Sequence, residues 1–213
     1  MPLIHLINPN TSQATTKMML ALARRHAPIN LAIEPKTARR GASLIVDAPA
    51  LAVAETAVLD LEPELVGDGV IVAAFGDPGA DALRQRMRVP VIGIGEASIR
   101  AAAEGGRLFS IATTTPGLEA SIRARVEMLG FHKQFASLRI TTVDPVAITA
   151  DAKELEAALF DLVERCSAED GAEAVVIGGG PLAQAAQALA GRTRASIIEA
   201  VPEAVHWMAR QLC

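Results

Sequence analysis

The amino-acid sequence says nearly the same thing twice. Leu3-Ile4-His5-Leu6-Ile7 is a short apolar run that ends in Asn8-Pro9-Asn10-Thr11-Ser12. Roughly 105 residues on, Leu108-Phe109-Ser110-Ile111-Ala112 ends in Thr113-Thr114-Thr115-Pro116-Gly117. Val70-Ile71-Val72-Ala73-Ala74 runs into Gly76-Asp77-Pro78, and Ala174-Val175-Val176-Ile177-Gly178 runs into Gly179-Gly180-Pro181. Val91-Ile92-Gly93 is matched by Ile197-Ile198-Glu199. Three landmarks at nearly one spacing mark a duplicated half. Each half reads as strand, polar or glycine loop, helix. The strands are continuous apolar runs, the pattern of parallel strands covered on both faces. The fold class is therefore α/β, with two pseudo-symmetric lobes, each a short parallel sheet flanked by helices. The first lobe is expected over 1–98 and the second over 99–199, with a C-terminal helix of residues 200–213 packing back on the first.

The helices carry their own punctuation. Asp151 is placed to cap a helix that runs to Ala168, with Leu155, Ala158, Leu159, Leu162, Val163 and Cys166 on one apolar stripe. A second helix is expected to take Pro116 as its first residue and to stop at Gly130.

Composition narrows the class of partner. With 51% apolar and 21% charged residues in 213, the chain has the material for a large core and is not disordered. Net charge is −4, and the only dense basic spots are Arg24-Arg25 and Arg39-Arg40, so no nucleic-acid surface is expected. Aromatic residues are 3% with no Tyr, which argues against base stacking. The apolar runs are too short for a membrane span. Met1-Pro2-Leu3-Ile4 enters a strand without a basic leader, and a cytoplasmic homo-oligomer is expected. Cys166 and Cys213 read as free, non-catalytic thiols.

In parallel α/β sheets, ligands bind beyond the carboxyl ends of strands. That singles out loops 8–12, 74–79, 113–117 and 178–182, two per half, facing one another across a cleft. Candidate binding residues are Asn10, Thr11, Ser12, Ala74, Phe75, Thr113, Thr114, Thr115, Gly179 and Gly180. Hydroxyls and free N–H groups there suit a small molecule with carboxylate or imide oxygens. Candidate acid/base groups are Asp77, before Pro78, where it can cap the next helix, and Glu96 and Glu199 at equivalent strand ends. His5 reads as a core or lobe-interface residue. His5, His26, His132 and His206 lack metal-ligand spacing, and Gly93-Ile94-Gly95 lacks the third glycine of a dinucleotide fingerprint. No metal and no cofactor is expected.

Taken together, Ile7-Asn8-Pro9-Asn10-Thr11-Ser12, Ala74-Phe75-Gly76-Asp77-Pro78-Gly79, Val91-Ile92-Gly93-Ile94-Gly95-Glu96-Ala97 and Gly178-Gly179-Gly180-Pro181-Leu182-Ala183 resemble the aspartate/glutamate/hydantoin racemase superfamily, in its hydantoin and allantoin racemase branch. The resemblance spans the chain in order. It implies an active site between two lobes and cofactor-free proton transfer at a carbon beside a carbonyl. It also implies two cysteines, one per lobe, on opposite faces of that carbon. Their positions fall at Ala74 and Gly179, neither of which can carry a proton.

Three functions follow as alternatives. One is a racemase-family isomerase for a small carboxylate or cyclic amide, using other cleft residues. Another is a lyase, decarboxylase or hydrolase that relies on N–H groups to stabilise an oxyanion. The third is a small-molecule binding protein that keeps the pocket.

Overall fold

The structure is a computed structural model and describes residues 1–212; Cys213, expected to be an incidental thiol, lies outside the described residues. The first sheet holds β1 (Leu3–Asn8), β2 (Ala32–Thr37), β3 (Gly69–Val72) and β4 (Val91–Gly93), in the order β2-β1-β3-β4. The second holds β5 (Phe109–Thr113), β6 (Phe135–Ile140), β7 (Ala174–Ile177) and β8 (Ser196–Glu199), in the order β6-β5-β7-β8. All pairings are parallel, and the two orders are the same once the repeat is applied. Ile7 lies opposite Val72 in one sheet and Ala112 opposite Ile177 in the other, so equivalent strands end side by side.

Helices cover both faces of each sheet, which is why the central strands are apolar throughout. On the first sheet, α1 (Gln13–His26) packs Met19 and Leu22 against Ile4, Leu6 and Ile71. The other face is closed by α2 (Ala48–Leu59) and α3 (Ala80–Arg86), through Val58 and Leu83 against Ile7, Val70 and Val72. On the second sheet, the short α6 (Pro145–Ala150), α7 (Ala152–Ala168) and α8 (Ala183–Leu189) bury Ile148, Leu159, Val163, Cys166 and Leu189 against Val175 and Ile177. Asp151 caps α7, accepting from the N–H groups of Lys153 and Glu154. The remaining face meets α5 (Glu119–Met128), whose Ile122 and Val126 pack under Phe109 and Ile111. Pro116 is not the first residue of α5; the helix starts at Glu119, and Thr115–Leu118 forms a turn instead. Gly130 ends that segment at φ 80°.

The last helix of each half crosses to the other half. α4 (Ile94–Ala102) leaves the first sheet and packs Ile99 and Ala102 against Phe109, Val176 and Ile198 of the second. α9 (Ala200–Leu212) leaves the second sheet and packs Val201, Ala204, Val205 and Met208 against Ile4, Ile71 and Ile92 of the first. α4 and α9 also pack on each other. A division of the chain at residues 98/99 falls inside α4, which serves both sheets. Among the described residues, no helix is long and apolar enough to cross a membrane.

Candidate functional site

The carboxyl ends of β1, β3, β5 and β7 converge on one cleft. Its wall takes Asn10 from the loop after β1, Ala73–Phe75 from the loop after β3, Thr113–Thr115 from the end of β5, and Gly178–Leu182 from the loop after β7. The two middle loops abut: a Cβ on Gly180 would stand 2.9 Å from the Ala73 carbonyl oxygen and 2.7 Å from Met19 Sδ, so only glycine fits. The cleft is tight: water centres reach only about 40 Å3 of it. Since one water occupies roughly 10–15 Å3 on that scale, the closed cleft suits a small ring or acid and excludes a nucleotide or peptide.

A buried asparagine builds the first loop. Asn8 Nδ2 donates to Asn10 Oδ1 at 2.8 Å and to Thr16 Oγ1 at 3.0 Å, while Asn8 Oδ1 accepts from the Asn10 N–H. Asn10 Oδ1 also accepts from the Ser12 N–H at 2.9 Å. With its oxygen doubly used, Asn10 offers its NH2 group to the cleft, where it meets no acceptor among the described residues. Ser12 caps α1, accepting from the Thr15 N–H, and does not line the cleft. Thr11 is also outside it, its N–H donating to the Ala42 carbonyl.

The second half contributes hydroxyls. Thr113 donates to the Gly178 carbonyl at 2.7 Å and lies 3.2 Å from the Thr115 hydroxyl, tying the ends of β5 and β7 together. The Thr114 hydroxyl has no protein partner among the described residues. The same is true of the backbone N–H groups of Ala74, Thr114, Thr115, Gly179 and Gly180. The cleft is thus rich in neutral donors.

None of the residues lining the cleft is ionisable among the described residues. Of the expected acid/base groups, Asp77 and Glu96 lie behind the wall and are committed elsewhere. Asp77 does not cap α3; its carboxylate accepts from the N–H groups of Gly95 and Glu96, both at 2.7 Å, and so caps α4. To reach them it takes a left-handed backbone, φ 51°, and fills the space over Gly93, where a Cβ would stand 2.0 Å from its Cγ. Burial raises the Asp77 pKa to about 6, partly offset by Arg125 and the two amides. Glu96 is paired with Arg84 at 2.7 Å, Arg100 at 2.9 Å and Arg125 at 3.1 Å. Glu199, at the end of β8, is outside the cleft lining, and its Oε2 is buried without a partner among the described residues. His5 is buried in β1, with Nε2 3.1 Å from the Val66 carbonyl oxygen. Cys166 is buried behind the second sheet, where burial pushes its thiol pKa up. No three His, Cys, Asp or Glu side chains converge as a metal site would require, among the described residues.

Other lining residues were not among those expected. Leu44 and Ile45 come from the segment after β2, and Thr149 from the segment after β6. Leu118 and Ile122 complete the floor from the start of α5. The 44–47 segment reaches across to the second half, with a bridge between Asp47 and Gly117. The loops after β2 and β6 are themselves equivalent under the repeat, so the same rule that chose the loops after strands one and three reaches these as well.

The Asp/Glu/Hydantoin racemase family matches residues 4–208. A hydantoin racemase from Rhizobium meliloti is 32% identical over 209 residues, covering 95% of this chain and 85% of that protein. The structure of an allantoin racemase from Klebsiella pneumoniae superposes with a TM-score of 0.92 at 34% identity, covering 100% of this chain and 88% of that one. The allantoin racemase of Pseudomonas fluorescens gives the same TM-score at 27% identity, covering 99% and 90%.

Proposed function

The chain belongs to the Asp/Glu/hydantoin racemase family, and from that premise we propose that it holds a small cyclic amide of the hydantoin class, or a similar small carboxylate, between its two sheets and acts on the carbon beside the carbonyl without a thiol or a cofactor. The observation that carries this reading is the cleft itself: neutral donors converge on it, and no ionisable side chain lines it among the described residues. The Asn10 amide, the Thr114 hydroxyl and the N–H groups of Gly179 and Gly180 would meet the ligand's oxygens. Donors aimed at a carbonyl oxygen stabilise the enolate that forms when the neighbouring C–H bond breaks, and such stabilisation is a large share of many enzymes' rate enhancement. Ala74 and Gly179, taken as the positions of the two family cysteines, supply no proton. The proton would therefore pass to and from water admitted to the cleft.

The same absence favours a second reading, a binding protein that recognises this ligand class without turning it over. One experiment separates the two. A single enantiomer of a 5-substituted hydantoin is incubated with the protein in D2O, and optical rotation, deuterium at the ring carbon and total mass are followed together. Deuterium uptake above the buffer rate is the expected result. Binding by calorimetry without uptake points to the binding protein. Loss of mass points to a lyase or hydrolase, and no binding of any hydantoin overturns the proposal.

A further inference from the structure

Two peptides of the cleft wall, Gly178–Gly179 and Gly179–Gly180, lie between glycines. Turning a peptide over changes ψ of the residue before it and φ of the residue after it, and no Cβ resists the turn at either place. Its two orientations differ in chemistry. The N–H and C=O of a trans peptide point in opposite directions, so one orientation offers the cleft a donor and the other an acceptor. The Gly179–Gly180 peptide is held by the main chain, its carbonyl accepting from the Leu182 N–H at 3.0 Å. The Gly178–Gly179 peptide is held through its carbonyl by a side chain, the Thr113 hydroxyl at 2.7 Å, and among the described residues that carbonyl has no main-chain donor. Thr113 has one proton and spends it there. The Thr115 hydroxyl, 3.2 Å away, therefore donates to the Thr113 oxygen, and the chain of two hydroxyls strengthens the hold on the carbonyl.

We propose that Thr113 is a positioning residue: by holding the Gly178 carbonyl against β5 it keeps the Gly179 N–H, and not the carbonyl, turned toward the ligand oxygen that becomes anionic. Turned over, the same peptide would set a carbonyl dipole against the growing negative charge and remove one donor from its stabilisation. The hold belongs to the second half of the chain. At the equivalent end of β1 stands Asn8, whose amide is spent on Asn10, Ser12 and Thr16. This inference rests on the proposed function and adds to it the side chain that sets one of its donors.

The test follows deuterium uptake at the ring carbon of one enantiomer of 5-methylhydantoin with the parent chain, Thr113→Val, Thr113→Ser and Ser110→Ala. Ser110 is a buried hydroxyl on the same strand, 2.8 Å from the Ser137 hydroxyl on β6, and controls for the loss of a structural hydrogen bond. Thr113→Val is expected to lower the saturating rate about ten- to hundredfold and to change KM less than about threefold, because the charge that the N–H meets grows only as the C–H bond breaks. Thr113→Ser and Ser110→Ala are expected to stay within about threefold of the parent. Crystal structures of the parent and Thr113→Val, with Thr113→Ala where valine is not accommodated, give a readout independent of turnover: the Gly178–Gly179 peptide is expected to turn over in the variant alone. The inference is overturned if the peptide keeps its orientation in the variant, if Thr113→Val leaves the rate unchanged, if Thr113→Ser is as slow as Thr113→Val, or if Ser110→Ala loses as much. If the parent exchanges no deuterium while the peptide turns in the variant, the proposed function falls and the hold of Thr113 on the peptide stands.

Discussion

Arg125, on α5 in the second half of the chain, sets its Nε 3.1 Å from Asp77 and its Nη2 3.1 Å from Glu96, both in the first half. Its Nη1 meets Asp81 at 2.6 Å. All three guanidinium nitrogens are therefore spent on carboxylates across the boundary between halves. Arg125, Asp77 and Glu96 are buried, and Asp77 in turn caps α4. The cluster clamps the wall of the cleft from behind, which is a positioning task and explains why these acids do not reach the ligand space.

Removing Arg125 strands Asp77 more than its neighbours, because Glu96 keeps Arg84 and Arg100 while Asp81 keeps Arg84. Arg125→Leu is expected to destabilise the fold by about 3–5 kcal/mol at pH 8, the cost of breaking a buried pair. At pH 5 the loss should be smaller, because a protonated Asp77 no longer needs the cation. Urea denaturation at the two pH values checks this, and equal losses at both would contradict it.

The intact protein has its own pH signature. Burial lifts the Asp77 pKa from 3.8 to about 6. The folded state therefore binds this proton more tightly than the unfolded chain does. Its contribution to stability is fully present below pH 3.8 and is lost as pH rises through about 6, an amount of at most about 3 kcal/mol. Carbon-13 NMR of the Asp77 carboxyl should show a midpoint near 6; a midpoint under 4 would mean that Arg125 and the two amides outweigh burial.

Thr114 offers a hydroxyl to the cleft that the protein itself does not use. Thr114→Val keeps the shape and removes the hydrogen bond, so ligand affinity should drop about three- to tenfold with an unchanged melting temperature. Ser12→Ala should act on stability instead. It removes the cap of α1, at a cost of about 1 kcal/mol in stability that thermal unfolding should show. Calorimetry and thermal unfolding of the two variants side by side give the answer.

The two positions read as those of the family thiols are not equivalent hosts for one. Gly179 has φ 154° and ψ 130°, and a Cβ there would stand 3.1 Å from Leu182 Cγ. Gly179→Cys is expected to cost about 1–3 kcal/mol in backbone strain. Ala74→Cys adds only a sulfur at the cleft wall and should fold as well as the parent. Thermal unfolding of the two single variants would refute this if they melt together.

Much of the fold was legible because the repeat and the apolar strands report the same layout. The loops after β1, β3, β5 and β7 were legible too, since those central strands are buried and unbroken. The loops after β2 and β6 were not. Both are edge strands with mixed sequences, Ala32-Ile33-Glu34-Pro35-Lys36-Thr37 and Phe135-Ala136-Ser137-Leu138-Arg139-Ile140, and neither shows the pattern of a covered strand. Leu44, Ile45 and Thr149 were hidden with them. Asp77 and Glu96 misled for a different reason: a carboxylate at a strand end looks the same in sequence whether it meets a substrate or a distant arginine, and Arg125 lies 48 residues from Asp77.

The crossing of α4 and α9 has a consequence for what half of this chain could be. A single repeat unit would leave the apolar stripe of its trailing helix in water and one face of its own sheet only partly covered. Both deficits vanish if two such units exchange helices about a twofold axis, the arrangement of a domain-swapped homodimer. The full chain has that layout within one polypeptide. Its cleft lies on the seam between the two halves, so neither half alone encloses a pocket, and a substitution on one side of the cleft has no counterpart forced on the other.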